Sequence, residues 1–311
     1  MKKLLILFVL LPLVYLVYQI MPVSVSGDEI RFAVALNEDK NTTLANLKEQ
    51  GLIRNPSFFS LILYFLKVPA DIEPGAYILQ KNYWAPKVAS ILLYHPYQKW
   101  VILKPGLRKE QVSEILSDKF DWDIEKENEF NNTAQEGYLF PDTYLLNVDY
   151  SAEEFANRLI SNFNDKFDAE LQNDLLAQNI RNDTAVKIAS LIERESGSLE
   201  DKALIAGIIW NRLDSDMRLQ IDAVTQYILG KPGNWWPRVK PADHRIESPY
   251  NTYIHKGLPP GPIANPSLDS IRASVYPAET DCVFYIHDSD KNIHCSKTYE
   301  EHLENIEQYL K

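Results

Sequence analysis

The sequence is short of positive charge and of cysteine, and both shortages exclude classes of protein. It contains 32 lysine and arginine residues against 43 aspartate and glutamate residues, a formal net charge of −11. Proteins that neutralise phosphates need a basic surface, so this balance argues against nucleic acid as a partner. With only two cysteines, a structural zinc site is not expected either.

Motifs for metal, nucleotide and serine chemistry are also missing. The histidines show no H-E-x-x-H pattern, and the chain has no G-x-S-x-G, P-loop or G-x-G-x-x-G segment. The segment GLPPGPIANP contains glycine but also prolines, which lack the N–H groups that would bind a phosphate. We therefore predict no metal and no cofactor.

What the chain does have is an apolar run at its N-terminus. Lys2 and Lys3 precede an uncharged stretch from Leu4 to about Ile20, roughly 17 residues, near the shortest length that spans a membrane. No A-x-A-like cleavage site follows, and the lysines lie where the positive-inside rule puts the cytoplasm. We predict a single-pass membrane anchor with the rest of the chain outside; a cleaved signal peptide is the alternative.

The remaining chain is long enough for two modest domains. Short strands and helices are predicted up to about residue 100, which indicates a small α+β module in which Asn55 and Pro56 start a helix. Longer helices dominate afterwards, and Ser151 with Glu154 forms a capping-box pattern. The predicted fold class is α+β: an N-terminal transmembrane helix, the small module, and a mainly helical domain with a β-hairpin.

The two cysteines lie in the segment DCVFYIHDSDKNIHCSKT, which has the pattern of that hairpin. A tight turn near Asp288 and Ser289 would bring Cys282 and Cys295 opposite each other. An exported protein can form a disulfide at such a position. Two unpaired cysteines in a core are the alternative.

The segment KIASLIERESG carries two glutamates, Glu193 and Glu195, at the end of an apolar run. Helical residues two positions apart lie roughly 200° apart, so these carboxylates cannot share one substrate atom. They fall at opposite edges of the apolar face, and periodicity does not choose between them. A carboxyl at such an edge is a candidate for the raised pKa that a general acid needs, with a solvated helix end as the alternative.

Polar and aromatic side chains are interleaved in MRLQIDAVTQY and SPYNTYIHKGLPPGPIANP. Neutral or acidic hydrogen-bonding groups beside aromatic rings suit an uncharged ligand rich in hydroxyl and amide groups, such as a glycan. An ordinary loop is the alternative. The polar and aromatic residues concerned are Gln220, Asp222, Asn251, Thr252 and Tyr253.

Six motifs carry a resemblance to a known family. EGYLFPDTY, ASLIERES, NRLDSDMRLQID, SPYNTYIHKGLPPGPIANP, ASVYPAETDCVFYI and HCSKTYEEHLENI stand in the order seen in the endolytic murein transglycosylase, or YceG-like, family. The resemblance runs from about Leu103 to the C-terminus, and the region before it resembles that family's LysM-like module. It implies a membrane anchor over residues 1–25, the LysM-like module over 26–100 and a catalytic domain over 101–311.

The resemblance also implies roles for individual residues. The family's catalytic glutamate falls on Glu193, and Glu136 falls on a motif that packs beside it. His294 matches a histidine of the last motif, and Cys295 stands where a phenylalanine is common. The segments that line the family's substrate cleft contain Gln220, Asp222, Tyr250, Asn251 and Tyr253.

The implied reaction needs one carboxyl group. Glutamic acid protonates the glycosidic oxygen between N-acetylmuramic acid and N-acetylglucosamine, then deprotonates the muramic 6-hydroxyl, which closes a 1,6-anhydro ring. The substrate's own acetamido group can stabilise the developing charge. The resemblance implies action on nascent peptidoglycan strands at the bacterial cytoplasmic membrane, beside the synthases, with the catalytic part outside. The alternatives are a non-catalytic wall-binding scaffold and an ordinary hydrolase that uses Glu193 and Asp222.

Overall fold

The computed structural model describes residues 2–66 and 72–310, with side chains from Leu10 onward. It divides the chain into two compact units. Unit 1 comprises Met1–Val101 and Thr143–Tyr150, and unit 2 comprises Ile102–Asp142 and Ser151–Lys311. The predicted boundaries at residues 25 and 100, and the LysM-like assignment, stay predictions.

Unit 1 contains a small antiparallel sheet and short helices. Strand pairing follows the order β1-β2-β3-β4, and Glu29 lies opposite Gln80 in the first pair. One side of the sheet packs on α2, α3 and α4 through a buried apolar cluster that includes Phe32, Phe59 and Leu79. The elements are α1 (Lys2–Ile20), β1 (Glu29–Val34), α2 (Lys40–Glu49), α3 (Pro56–Phe65), β2 (Gly75–Gln80), α4 (Ala85–Tyr94), β3 (Gln98–Ile102) and β4 (Thr143–Asn147).

The predicted membrane-spanning helix is wrong. In the part of the chain that the structure describes, no helix is both long and apolar enough to cross a membrane. Helix α1 has 19 residues, its first two are lysines, and Pro12 interrupts its hydrogen-bond ladder. Its last turn packs against the rest of unit 1: Gln19 is buried, and the guanidinium of Arg54 lies over the ring of Tyr18. The fold class is therefore corrected to a mixture of α and β elements without this span.

Unit 2 is mainly helical, and long polar loops connect some of its helices. They are α5 (Lys109–Phe120), α6 (Ile124–Thr133), α7 (Ala152–Lys166), α8 (Ala169–Ala177), α9 (Asn182–Glu195), α10 (Asp201–Asp214), α11 (Asp222–Leu229), α12 (Leu268–Val275), β5 (Phe284–His287), β6 (Ile293–Ser296) and α13 (Tyr299–Tyr309). A short 3-10 helix, Asp243–Arg245, interrupts the connection between α11 and α12.

Helix α9 lies at the centre of unit 2. It packs against α8, α10, α11 and α12, and its residues from Ala185 to Ile192 are buried except Lys187. Ser190 fits this environment because its hydroxyl accepts the N–H of Ile263, so the buried polar group is paired. The apolar face of α9 thus fixes the position of the two glutamates at its C-terminal end.

Strands β5 and β6 form the predicted hairpin, in which Tyr285 lies opposite Cys295. The turn is closed by the N–H of Asp288, which donates to the carbonyl of Asn292. The pairing of the cysteines, which the sequence leaves open, is a disulfide between Cys282 and Cys295.

Candidate active site

The carboxylate of Glu193 is enclosed by hydrogen-bond donors. Its Oε2 accepts the N–H of Ser267 at 2.9 Å, the hydroxyl of Ser267 at 2.5 Å and that of Ser270 at 2.6 Å. Lys202 Nζ lies 3.1 Å away. Burial opposes ionisation, but the donors from Ser267 and Ser270 and the charge of Lys202 outweigh it and lower the pKa of Glu193. This carboxylate anchors α9 to the N-terminus of α12, where a negative charge is favourable.

Glu195 has the opposite surroundings. The hydroxyl of Tyr285 donates to its Oε2 at 2.7 Å, and the N–H of Ala223 is 3.4 Å from its Oε1. Burial raises the pKa of the Glu195 carboxyl, and the negative charge of Asp222 acts in the same direction. Glu195 therefore holds a proton more readily than an ordinary glutamate does.

Glu195 lies in the wall of a cavity of about 350 Å³. The other lining side chains that matter for chemistry are Arg212, Gln220, Asp222, Tyr253 and Tyr285. A larger depression of about 580 Å³, beside Trp210 and Glu279, contains none of the predicted site residues. The smaller cavity is the better candidate, because it combines a raised-pKa carboxyl with converging polar groups.

Asp222, which lies on the cavity wall, forms a hydrogen-bonded group with two neighbours. Its Oδ1 accepts the hydroxyl of Tyr253 at 2.6 Å and lies 3.0 Å from His244 Nε2. The imidazole of His244 stacks on the ring of Tyr253, with ring centres 3.7 Å apart. Asp222 is the first residue of α11, so its carboxylate is also favoured by the helix N-terminus.

The two predicted cleft segments meet through backbone contacts. The N–H of Gln220 donates to the carbonyl of Thr252, and the N–H of Ile221 donates to the Thr252 hydroxyl. Asn251 is fully buried: its Nδ2 donates to the carbonyls of His244 and Ile246, and its Oδ1 accepts the N–H of Tyr253. Asn251 therefore shapes the loop and presents Tyr253, without itself lining the cavity.

Glu136 and Tyr250 lie outside the lining of this cavity. The carboxyl of Glu136 accepts the N–H of Lys109 and, through Oε1, Asn265 Nδ2 at 3.3 Å. Burial, and then the charge of Glu110, raises the pKa of Glu136 to about 8. The ring of Tyr250 packs on Tyr227, with centres 5.2 Å apart.

Among the residues in or beside the cavity, Arg212, Tyr285 and His244 make contacts that the sequence does not predict. Arg212 is buried and donates to the carbonyls of Val283 and Leu219, so it joins the hairpin to the segment before α11. Tyr285 and His244 reach Glu195 and Asp222 from distant parts of the chain. No local pattern marks them, because their partners are 90 and 22 residues away.

The remaining predicted residue, His294, lies in the hairpin. Its Nε2 is 2.9 Å from Asp288, and its ring stacks on Tyr309 of α13 at 3.6 Å. Among the described residues, no group of three or more histidine, cysteine, aspartate or glutamate side chains is arranged to hold a metal ion.

Comparison with known proteins decides the family. A sequence model described as the YceG-like family matches residues 32–308. The chain belongs to the YceG-like family. The resemblance inferred from the six motifs is therefore confirmed.

YceG-like relatives with curated names include the endolytic murein transglycosylase of Bacillus subtilis (strain 168), which is 34% identical over 205 residues. That match covers 66% of this chain and 54% of the relative. The endolytic murein transglycosylase of Streptococcus pneumoniae (strain D39) is 33% identical over 178 residues, covering 56% of this chain and 32% of the relative. The chain thus spans about half or less of the length of these relatives.

A crystal structure of a yceG-like protein from Listeria monocytogenes shares the fold. The TM-score is 0.61 at 24% sequence identity, and the match covers 89% of this chain and 98% of that chain.

Proposed function

We propose that this protein is an endolytic lytic transglycosylase, which cuts the bond between N-acetylmuramic acid and N-acetylglucosamine within peptidoglycan strands. The names of the Bacillus and Streptococcus relatives support the reaction class. The observation that carries the proposal is the cavity in which a raised-pKa carboxyl, Glu195, faces hydrogen-bonding groups suited to a sugar.

We assign the role of the acid to Glu195, although the family resemblance points to Glu193. Glu193 has a lowered pKa and four donor contacts, so its carboxylate has little tendency to carry a proton. Glu195 has a raised pKa and an open cavity in front of it. A general acid at neutral pH needs the second set of conditions.

The reaction then proceeds in two proton transfers through the same carboxyl. Glu195 gives its proton to the glycosidic oxygen while the bond between that oxygen and muramic C1 breaks, and the substrate's acetamido group stabilises the positive charge at C1. The Glu195 carboxylate next takes the proton of the muramic 6-hydroxyl, whose oxygen bonds to C1 and closes the 1,6-anhydro ring. Glu195 ends protonated, and no water is consumed.

The other cavity residues bind and orient the sugar. Asp222 accepts hydrogen bonds from hydroxyl or amide groups, and its charge helps to keep the proton on Glu195. Tyr253 holds Asp222 and offers an aromatic face, while Gln220 can both donate and accept.

The test compares two variants that differ by two positions. We expect Glu195→Gln to lower the rate of anhydro-product formation by at least about 100-fold while the protein stays folded. Glu193→Gln serves as the matched control: it removes the ionic anchor to α12 and lowers stability by about 2 kcal/mol, but the folded fraction still cleaves. Mass spectrometry of digested peptidoglycan and thermal unfolding measure the two effects separately. An active Glu195→Gln with an inactive, folded Glu193→Gln would reverse the assignment.

A hydrolase is the second candidate, because Asp222 lines the same cavity as Glu195 and could act as its second carboxylate. The same digestion separates the candidates. Anhydro ends identify the transglycosylase, reducing ends identify the hydrolase, and a scaffold gives no cleavage.

We further propose that the protein acts outside the bacterial cytoplasm on nascent strands, near the synthases that make them. The Cys282–Cys295 disulfide supports an oxidising compartment. In intact cells, both cysteines should resist alkylation until a reductant is added, and alkylation without reductant would contradict the location. Crosslinking with recovery of a synthase tests the proximity.

We also propose that unit 1 holds glycan, as its resemblance to a LysM-like module implies. The rings of Trp84 and Tyr94, at the two ends of α4, are 52% and 66% exposed and could stack on sugars. A Trp84→Ala/Tyr94→Ala variant should sediment less with insoluble peptidoglycan while its rate on short soluble fragments is kept. Unchanged sedimentation would contradict this role.

A further inference from the structure

Two side chains on one face of β5, in the hairpin, contact the region where α9 ends and α10 begins. Tyr285 donates to Glu195, and His287 Nε2 lies 3.2 Å from Asp201 at the start of α10. The imidazole of His287 also approaches Gly197 in the short connection between the two helices. Strand β5 therefore contacts the Glu195 end of α9 and the beginning of α10 together.

The hairpin is held where its first strand enters. Asn211 Nδ2 donates to the carbonyl of Cys282 at 3.0 Å, and Arg212 Nε donates to the carbonyl of Val283 at 2.5 Å. The Cys282–Cys295 bond ties this entering strand to the end of β6. An isolated two-stranded hairpin is marginally stable in water, so the covalent tie matters for its order.

Tyr285 decides how the Glu195 carboxyl is oriented. Its hydroxyl makes the short contact to Oε2, whereas the contact of Ala223 N–H with Oε1 is long, at 3.4 Å. Burial raises the pKa of Tyr285, so its hydroxyl keeps its proton and remains a donor. Because Oε2 accepts the short hydrogen bond from Tyr285, Oε1 is the oxygen more available to carry a transferable proton.

We propose that Tyr285 is a positioning residue for Glu195. The Cys282–Cys295 disulfide fixes the hairpin that carries Tyr285 and so keeps the tyrosine hydroxyl within hydrogen-bonding distance of Glu195. This inference rests on the proposed role of Glu195. It predicts that activity depends on the disulfide, although neither cysteine touches substrate.

The pH dependence of activity reports on this contact. The charged and titratable groups that face Glu195 or line its cavity are Asp222, Tyr253, Tyr285, His287, Arg194, Arg212, Tyr299 and His302. Of these, Tyr285 donates directly to the carboxyl and lowers the pKa of Glu195 against the effect of burial. Removal of its hydroxyl should therefore raise that pKa. Because the acid must be protonated, the alkaline limb of kcat/KM should move to higher pH.

The first experiment measures pH–rate profiles of Tyr285→Phe beside those of the wild type. We expect kcat to fall about tenfold and the alkaline limb to move upward in pH. Tyr309→Phe, which removes a hydroxyl on α13 outside the cavity, is the control and should leave both unchanged. An unmoved limb in a folded Tyr285→Phe would overturn the positioning role, since a packing defect alone lowers the rate without moving the limb.

The second experiment tests the disulfide. Wild-type protein reduced with a phosphine, with free thiols verified by mass spectrometry, should lose several-fold in kcat and show the same upward movement of the limb. The Cys282→Ser/Cys295→Ser variant should have the same kcat as the reduced wild type, and addition of the phosphine should not change it. Fully active reduced wild type would refute the proposal even if the double variant fails to fold.

The outcomes remain separable from those of the proposed function. An active Glu195→Gln removes the role of Glu195 itself. If Glu195→Gln is inactive but Tyr285→Phe and the reduced protein behave like the wild type, the positioning role of Tyr285 is contradicted and the proposed role of Glu195 stands.

Discussion

At the scale of single residues, the chemistry of unit 2 follows from where its carboxyl groups find donors. Glu193 meets two serines and a lysine and is held as an anion, whereas Glu195 meets one tyrosine hydroxyl and the negative charge of Asp222. The two glutamates at the end of α9 thus differ in proton affinity, because the pKa of Glu193 is lowered and that of Glu195 is raised. The difference arises because α9 directs the two side chains to opposite edges of its apolar face, where they meet different elements.

Glu136 gives a prediction at this scale. Its folded-state pKa of about 8 lies above the ordinary value of 4.5, so between these pH values the folded protein binds a proton that the unfolded chain has lost. The free energy of unfolding should therefore fall as pH rises through this window, by about 1 kcal/mol per unit, and level off above it. Glu136→Gln, which imitates the protonated form, should remove this part of the slope.

Urea denaturation between about pH 5 and pH 8 measures the Glu136 effect. Glu153→Gln, at an exposed site on α7, is the control and should retain the wild-type slope. Parallel curves for Glu136→Gln and wild type would contradict the raised pKa.

Helical periodicity alone does not decide which of the two glutamates is the better candidate for the acid, and the reason is physical. The helical period puts Glu193 and Glu195 at equivalent edges of the apolar face, and contacts with other elements distinguish them, above all those with Ser267, Ser270 and Tyr285. Those partners lie 74 to 90 residues away along the chain. Gln220, Asp222 and Tyr253, by contrast, were predicted together and do line one cavity.

At the scale of elements, helix-capping motifs can be predicted from the sequence because the residues that interact are close together along the chain. Asn55 Oδ1 accepts the N–H of Phe58 at the start of α3, and the capping box of Ser151 and Glu154 is formed in both directions. Both predictions are confirmed because they depend on residues three positions apart. The membrane span failed because a count of apolar residues does not register Pro12 or the packing of Gln19.

The cap of α7 provides the element-scale prediction. The Ser151 hydroxyl accepts the N–H of Glu154 at 3.2 Å, and Glu154 Oε2 accepts the N–H of Ser151 at 2.7 Å. Ser151→Ala leaves one N–H unpaired and should lower the free energy of unfolding by about 1 kcal/mol. Ser161→Ala, exposed on the same helix, should change it little or raise it slightly. Equal stabilities of the two variants in urea would contradict the role of the cap.

At the scale of the whole molecule, the excess of acidic residues bears on how the proposed substrate, peptidoglycan, would approach the protein. The chain carries a net charge of −11, and peptidoglycan strands carry the carboxylates of their peptide stems. Two bodies of like charge repel over the Debye length, which shortens from about 30 Å at 0.01 M salt to about 8 Å at 0.15 M. Encounter should therefore improve as salt is added, whereas chemistry inside the cavity should not change.

We accordingly expect kcat/KM for peptidoglycan cleavage to rise a few-fold between about 0.01 M and 0.15 M sodium chloride, with kcat constant. Peptidoglycan with amidated stem carboxylates is the matched substrate, and its kcat/KM should stay nearly flat because the repulsion is removed. A decrease with salt on the carboxylate-bearing substrate alone would mean that basic groups near the site, such as Arg194 and Arg212, attract the strand. Attraction of that kind would outweigh the net charge of the molecule, so the sign of the salt dependence shows which field the substrate meets.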